Sequence, residues 1–108
     1  VRDQKFADAA RVAEQMQDLL PDSAQPKLLL GIALAGQKDY TAALAAMQEG
    51  WKISPGAPDI GHRMALLQQL LKDNEQAKQT YDEILQANPG HTRTLLRLAT
   101  LSARLGDQ

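Results

Sequence analysis

Few side chains in this 108-residue chain could do chemistry by type. His62 and His91 are its two imidazoles, and cysteine is absent, which removes both a thiolate nucleophile and a thiolate metal site. Ser23, Ser54 and Ser102 fall in a capping stretch, a turn and a helix, without a nucleophile-elbow pattern around any of them. A turn and two expected helices separate the histidines, neither shows metal-ligand spacing, and each reads as a solvated histidine. Gly31 and Gly36 do not make a phosphate loop, and Asp82-Glu83 reads as helix surface instead of an acid/base pair. The expectation is a non-enzymatic protein with no cofactor and no metal.

Arginine offers a different chemistry. Within residues 91–108, Arg93, Arg97 and Arg104 stand against one acid, Asp107. At 100° per residue their spacing brings the three onto nearly one stripe of a helix. Clustered guanidiniums can grip a carboxylate, a phosphate or an acidic segment through bidentate, charge-assisted hydrogen bonds. The competing reading is a solvated face, with Arg93 pairing with Asp59 in an exposed ion pair of about 0–1 kcal/mol. The net charge of −1 gives no global pull toward nucleic acid or anionic lipid. No run of about 18 apolar residues offers direct membrane insertion. The partner expected for a bound stripe is a protein with an acidic or amphipathic segment, and the solvated reading stays open beside it.

The elements that would carry these residues are set by a period. Pro21, Pro55 and Pro89 stand 34 residues apart, and their surroundings recur in phase. Leu30-Gly31, Met64-Ala65 and Leu98-Ala99 each pair a large apolar residue with a small one, and Ala9, Ala43 and Ala77 form a second register of small residues. Small residues let helix axes approach, while bulky ones fill the space beside the crossing. Met47 with Tyr81, Trp51 with Leu85, and Leu67 with Leu101 supply the bulk, so Trp51 and Tyr81 are both expected in the core, as are the methionines. Lys38-Asp39-Tyr40, Lys72-Asp73-Asn74 and Gly106-Asp107-Gln108 mark a recurring polar turn. Apolar spacing and punctuation predict helices over 24–37, 41–53, 58–71, 75–87 and 92–105, with a further one within 1–20. Ser23 and Asn74 are the expected N-caps, and Pro26 and Pro58 sit in opening turns. No segment alternates as a strand would, so the fold is all-α.

The period, with Leu30-Gly31, Gly36-Gln37-Lys38-Asp39-Tyr40, Ala43-Leu44, Met47, Trp51 and Ile53-Ser54-Pro55 and a weaker copy ending at Pro89, resembles the tetratricopeptide repeat family over the whole chain. The chain departs from that pattern at Lys27, Gly61 and Leu95, where an aromatic usually opens the first helix, and at Leu34 and Gln68, a further aromatic site. The resemblance implies a right-handed superhelical α-solenoid of antiparallel helix pairs, with six helices here. It also implies a concave groove lined by the first helix of each pair. That places Leu28, Ile32, His62, Arg63, Leu66, Gln69, Arg93, Leu96, Arg97, Thr100 and Arg104 on or near the groove, with Arg63 beside Arg97 one repeat on. Leu28, Ile32 and Leu66 either receive an apolar segment of a partner or bury against neighbours. Some members clamp a C-terminal carboxylate with basic and asparagine residues. Arg93 and Arg97 occupy two matching places, but Leu28, Ile32 and Arg63 replace the others, so the resemblance does not extend to a chaperone-tail clamp.

In this frame residues 1–21 are the second helix of a partial repeat, 24–57 and 58–91 are whole repeats, and 92–108 supply the first helix of another, an expected piece of a longer array. Such a piece could associate head to tail, each open end completing the other. The 44% hydrophobic content with 4% aromatics suits alanine- and leucine-rich helices around a thin core. The expected role is a non-enzymatic protein interaction scaffold, or else a purely architectural spacer. Its alanine, glutamine and leucine texture looks similar to bacterial envelope proteins, including periplasmic scaffolds of exopolysaccharide secretion; cytochrome maturation and pilus assembly proteins use similar repeats. The compartment stays open between periplasm, which that texture favours, and cytoplasm.

Overall fold

The computed structural model describes residues 2–106. Its described residues form six α-helices and no strand: α1 (Arg2–Leu19), α2 (Gln25–Gly36), α3 (Tyr40–Ile53), α4 (Pro58–Leu70), α5 (Asn74–Ala87) and α6 (Thr92–Arg104). No described helix is long and apolar enough to cross a membrane. The chain divides into two compact units, Val1–Pro55 and Gly56–Gln108.

In the first unit α1 packs on α2 and α2 on α3. The α2–α3 contact depends on a missing side chain, because a Cβ at Gly31 would stand 2.6 Å from Met47 Cε and 2.9 Å from its sulfur. Met47 fills that space and is itself buried, with Ala33, Ala43 and Ala46 around the same core. Gly36 leaves room in the same way for the ring of Phe6 from α1. Lys27, where the family pattern has an aromatic, reaches Glu49 of α3 at 2.9 Å, and that bond draws the Glu49 carboxyl below its ordinary range.

In the second unit α4 packs on α5 and α5 on α6. Ile60, Met64, Ala65, Leu67, Ala77, Tyr81, Ile84 and Leu101 form its core. Burying each large side chain contributes about 1.5–3 kcal/mol. Trp51 departs from expectation: it and its repeat counterpart Leu85 are half-buried, while Met47 and Tyr81, one turn earlier, take the fully buried places. An indole is too large for the small-residue crossings used here to enclose it on all sides.

The recurring polar turn has a defined structure. Lys38 and Lys72 both adopt left-handed backbone, with φ of 67° and 68°. Asp39 N–H donates to Leu34 O and Lys38 N–H to Ala35 O; Asp73 N–H and Lys72 N–H do the same to Gln68 O and Gln69 O. This paired closure satisfies the last carbonyls of α2 and α4. The following aspartate then caps the next helix, Asp39 accepting from Ala42 N–H and Asp73 from Gln76 N–H, each at 3.3 Å. The cap of α5 is therefore Asp73, one residue before the expected Asn74, because Asp73, with φ of −102° and ψ of 70°, still lies outside the helix while Asn74 is already its first residue. At α2 the cap position is Ala24, and Ser23 instead accepts from Gln25 N–H at 3.2 Å. In the third copy of the turn Gly106 is left-handed with φ of 81°, while Asp107 and Gln108 lie outside the described residues.

Candidate functional site: a basic and apolar surface on α4 and α6

Two adjoining clefts open in the second unit. The first, of about 430 Å³, is lined by Asp59, His62, Arg63, His91, Arg93 and Arg97 together with Pro58 and Leu66. The second, of about 370 Å³, is lined by Gln69, Tyr81, Leu96, Thr100, Leu101 and Arg104, and shares Leu66, Arg93 and Arg97 with the first. Each cleft carries three guanidinium groups, and the second sets them beside Leu66, Leu96 and Leu101.

Helix periodicity explains the grouping. Arg93, Leu96, Arg97, Thr100 and Arg104 recur at three- and four-residue steps and so share one face of α6, while Thr94 and Leu101 turn inward and are buried. On α4, His62, Arg63, Leu66 and Gln69 point to the clefts, while Met64, Ala65, Leu67 and Gln68 face the core. Leu66 and Leu96 are 54% and 66% exposed, so for Leu66 burial against neighbours is ruled out. Leu28 and Ile32 lie on α2 in the first unit, and both are half-buried.

Among the described residues no acidic side chain is ion-paired with Arg63, Arg93 or Arg97. Asp59, the expected partner of Arg93, instead accepts from its own neighbour Ile60 N–H at 2.9 Å, as first-turn acids commonly do. Arg104 is held differently: its guanidinium donates to Gln69 Oε1 at 2.7 Å, and Gln69 Nε2 donates to the Tyr81 hydroxyl at 3.4 Å.

The histidines are not separate solvated side chains. Their ring centroids lie 5.7 Å apart, and His62 also meets Tyr81 edge-on at 5.8 Å. The buried Thr94 hydroxyl stands 2.7 Å from both His62 Nε2 and His91 Nδ1. Thr94 N–H also points at His91 Nδ1, at 3.3 Å, so that nitrogen carries a lone pair and not a proton. The Thr94 hydroxyl therefore donates to His91 Nδ1 and accepts from His62 Nε2–H. This leaves His62 Nδ1 as a buried acceptor without a partner. Burial, followed by the charges of Arg97, Arg93 and His91, pushes the His62 pKa down to about 4. The expectation of solvated histidines fails because Pro89-Gly90 returns the chain so that His91 caps α6 beside α4. Among the described residues no group of three or more His, Cys, Asp or Glu side chains could hold a metal.

Two family models described as tetratricopeptide repeat match the chain, over residues 34–93 and 1–58. The chain belongs to the tetratricopeptide-repeat family. A solved structure described as the first TPR of Spaghetti (RPAP3) bound to HSP90 peptide SRMEEVD is similar, with a TM-score of 0.83 and 17% identity over 96% of this chain and 85% of that one. At that identity the likeness establishes the fold, an all-α array of helix pairs. No curated protein matches the sequence. Members of the family are generally non-enzymatic modules that mediate protein interactions. In this tetratricopeptide-repeat chain the clefts gather every expected groove residue except Leu28 and Ile32. Thr94 and His91 were the residues that sequence reasoning missed. Their spacing, a cap and the third residue of its helix, is the signal that could have found them.

Proposed function

We propose that the chain is a non-enzymatic interaction scaffold that takes a protein segment carrying acidic and apolar side chains into the α4–α6 clefts. The observation that carries this reading is Arg63, Arg93 and Arg97 lining one cleft without an ion-paired acid, beside exposed Leu66 and Leu96 in the next. Guanidiniums in a concave site strengthen their hold on a carboxylate through bidentate geometry, and adjacent apolar surface adds area that a free anion could not use. Gln69, Thr100 and Arg104 extend the polar rim, and Leu28 and Ile32 are proposed contacts of the first unit. The similar structure's peptide contains acidic residues, which supports the same class of partner here. A chaperone-tail clamp is not proposed, since Leu28 and Ile32 are apolar.

Capture from a lysate of the parent organism with the chain as bait, compared with an Arg63→Glu, Arg93→Glu, Arg97→Glu variant, tests the reading. Partners recovered by the first and lost by the second support it. Identical recoveries would instead mark the segment as an architectural spacer. The composition supports a bacterial envelope setting such as exopolysaccharide export. Exposed Leu95 and Ala99 on α6 favour a second reading, head-to-tail association, which a strict monomer in light scattering over a wide concentration range would remove.

A further inference from the structure

We propose that His91, Thr94 and His62 form an acid-released latch that holds the start of α6 against α4 and so sets the positions of Arg93 and Arg97 in the cleft. The inference rests on the partner-binding reading only for its consequence; the latch itself stands on geometry. Thr94 is fully buried, and its hydroxyl is the joint between a ring on α4 and the ring that caps α6. Arg93 and Arg97 flank Thr94 on the same helix.

The choice of cap makes the joint sensitive to protons. The caps of α3 and α5 are the carboxylates Asp39 and Asp73. The cap of α6 is an imidazole, a group that ordinarily titrates near ~6.5. His91 Nδ1 receives the Thr94 hydroxyl and a share of the Thr94 N–H, which also donates to His91 O at 3.1 Å. A proton on that nitrogen turns the acceptor into a donor facing two donors, so both contacts are lost together. The charged and titratable groups around the joint are Asp59, His62 and Arg63 from α4, Arg93 and Arg97 from α6, and Tyr81 of α5. Closure and protonation therefore exclude one another, and acid frees the first turn of α6.

Amide hydrogen exchange on the chain alone, from pH 7.5 to 4.5 and corrected for intrinsic exchange rates, reads the latch without any partner. Protection at Thr94 and Leu95 should fall at least tenfold across that range, while Ala46 and Met47 of α3 keep theirs. His91→Asn supplies a cap that does not titrate, and in that variant the fall at Thr94 and Leu95 should shrink to that at Ile84 of α5, which the His62 titration sets for the whole unit. Unchanged protection at Thr94 down to pH 4.5, the same fall in the Asn variant, or parallel loss in α3 would each overturn the latch. If the latch titrates as described while the triple arginine variant captures the same proteins as the unaltered chain, the partner reading fails and the latch stands.

Discussion

Thr80 Oγ1 lies 2.8 Å from Gln68 Oε1 inside the second unit, both residues being almost wholly buried. Gln68 stands where related repeats place an aromatic, so a polar pair occupies a site designed for apolar bulk. The hydroxyl has a second acceptor, Gln76 O, at 3.0 Å, whereas among the described residues Thr80 is the donor that Gln68 Oε1 meets. Removing the donor should therefore cost more than removing the acceptor. Thr80→Val is expected to lose about 1–3 kcal/mol by stranding a buried carbonyl, and Gln68→Leu less. The double variant should be more stable than the summed single losses, by about 1 kcal/mol. Urea denaturation of the four proteins measures this, and simple additivity would refute the coupling.

Lys72 pays for a conformation that its neighbours require. Its φ of 68° is disfavoured for a residue with a Cβ, yet the turn needs a left-handed residue to close α4 and begin α5. The third copy of the turn has Gly106 at this place, with φ of 81°. Lys72→Gly should gain about 0.5–1 kcal/mol after the greater chain entropy of glycine is discounted. That corresponds to a rise of a few degrees in Tm. A thermal scan showing a lower Tm would mean that the lysine stem contributes packing beyond its backbone cost.

Gly56 shows the opposite case. Its φ is 79°, and an added Cβ would meet Ala87 Cβ at 2.5 Å. Its carbonyl also accepts from Asn88 Nδ2 at 2.9 Å, and Asn88 Nδ2 reaches Ile84 O as well, at 3.0 Å. Gly56→Ala should cost about 2–4 kcal/mol, from left-handed strain together with overpacking. Gly56→Ala combined with Ala87→Gly should recover the packing share but not the backbone share. Full recovery in denaturation midpoints would show that φ carries no penalty here.

The period made most of the architecture legible, and its physical content explains where reading stopped. A 34-residue spacing of prolines, small residues and Lys-Asp turns marks helix pairs because each feature answers a local demand: a stop, a close crossing, a left-handed corner. Boundaries slipped by one residue at Asp73 and Asn74, since both types cap helices and only the preceding left-handed Lys72 decides between them. The basic stripe on α6 was legible because it lies on one helix. The contact of His62 with Thr94 and His91 was not. It depends on how tightly the Pro89-Gly90 turn returns the chain, which no residue type states. Trp51 misled for another reason, as hydrophobicity measures a tendency to leave water and not the room available.

The acid stability of the second unit follows from His62. Burial, and after it Arg97, Arg93 and His91, lowers its pKa to about 4 in the folded chain, against an ordinary value near 6.5 when unfolded. Between those values the unfolded chain binds a proton that the folded one refuses, so stability must fall as pH falls. The contribution is complete above about pH 6.5, is lost progressively down to about pH 4, and does not change further below it. Because the ring is partly exposed, solvent screening makes the loss smaller than the shift alone would imply. His62→Gln retains a side-chain donor for the Thr94 hydroxyl and removes the titration. Its stability should decline less steeply than that of the unaltered chain over this window and run parallel to it between pH 7 and 8. Parallel curves throughout would place the acid sensitivity elsewhere. Arg97→Gln offers an independent check, since removing one opposing charge should raise the lower end of the window, seen as a higher His62 midpoint in a ring-proton titration.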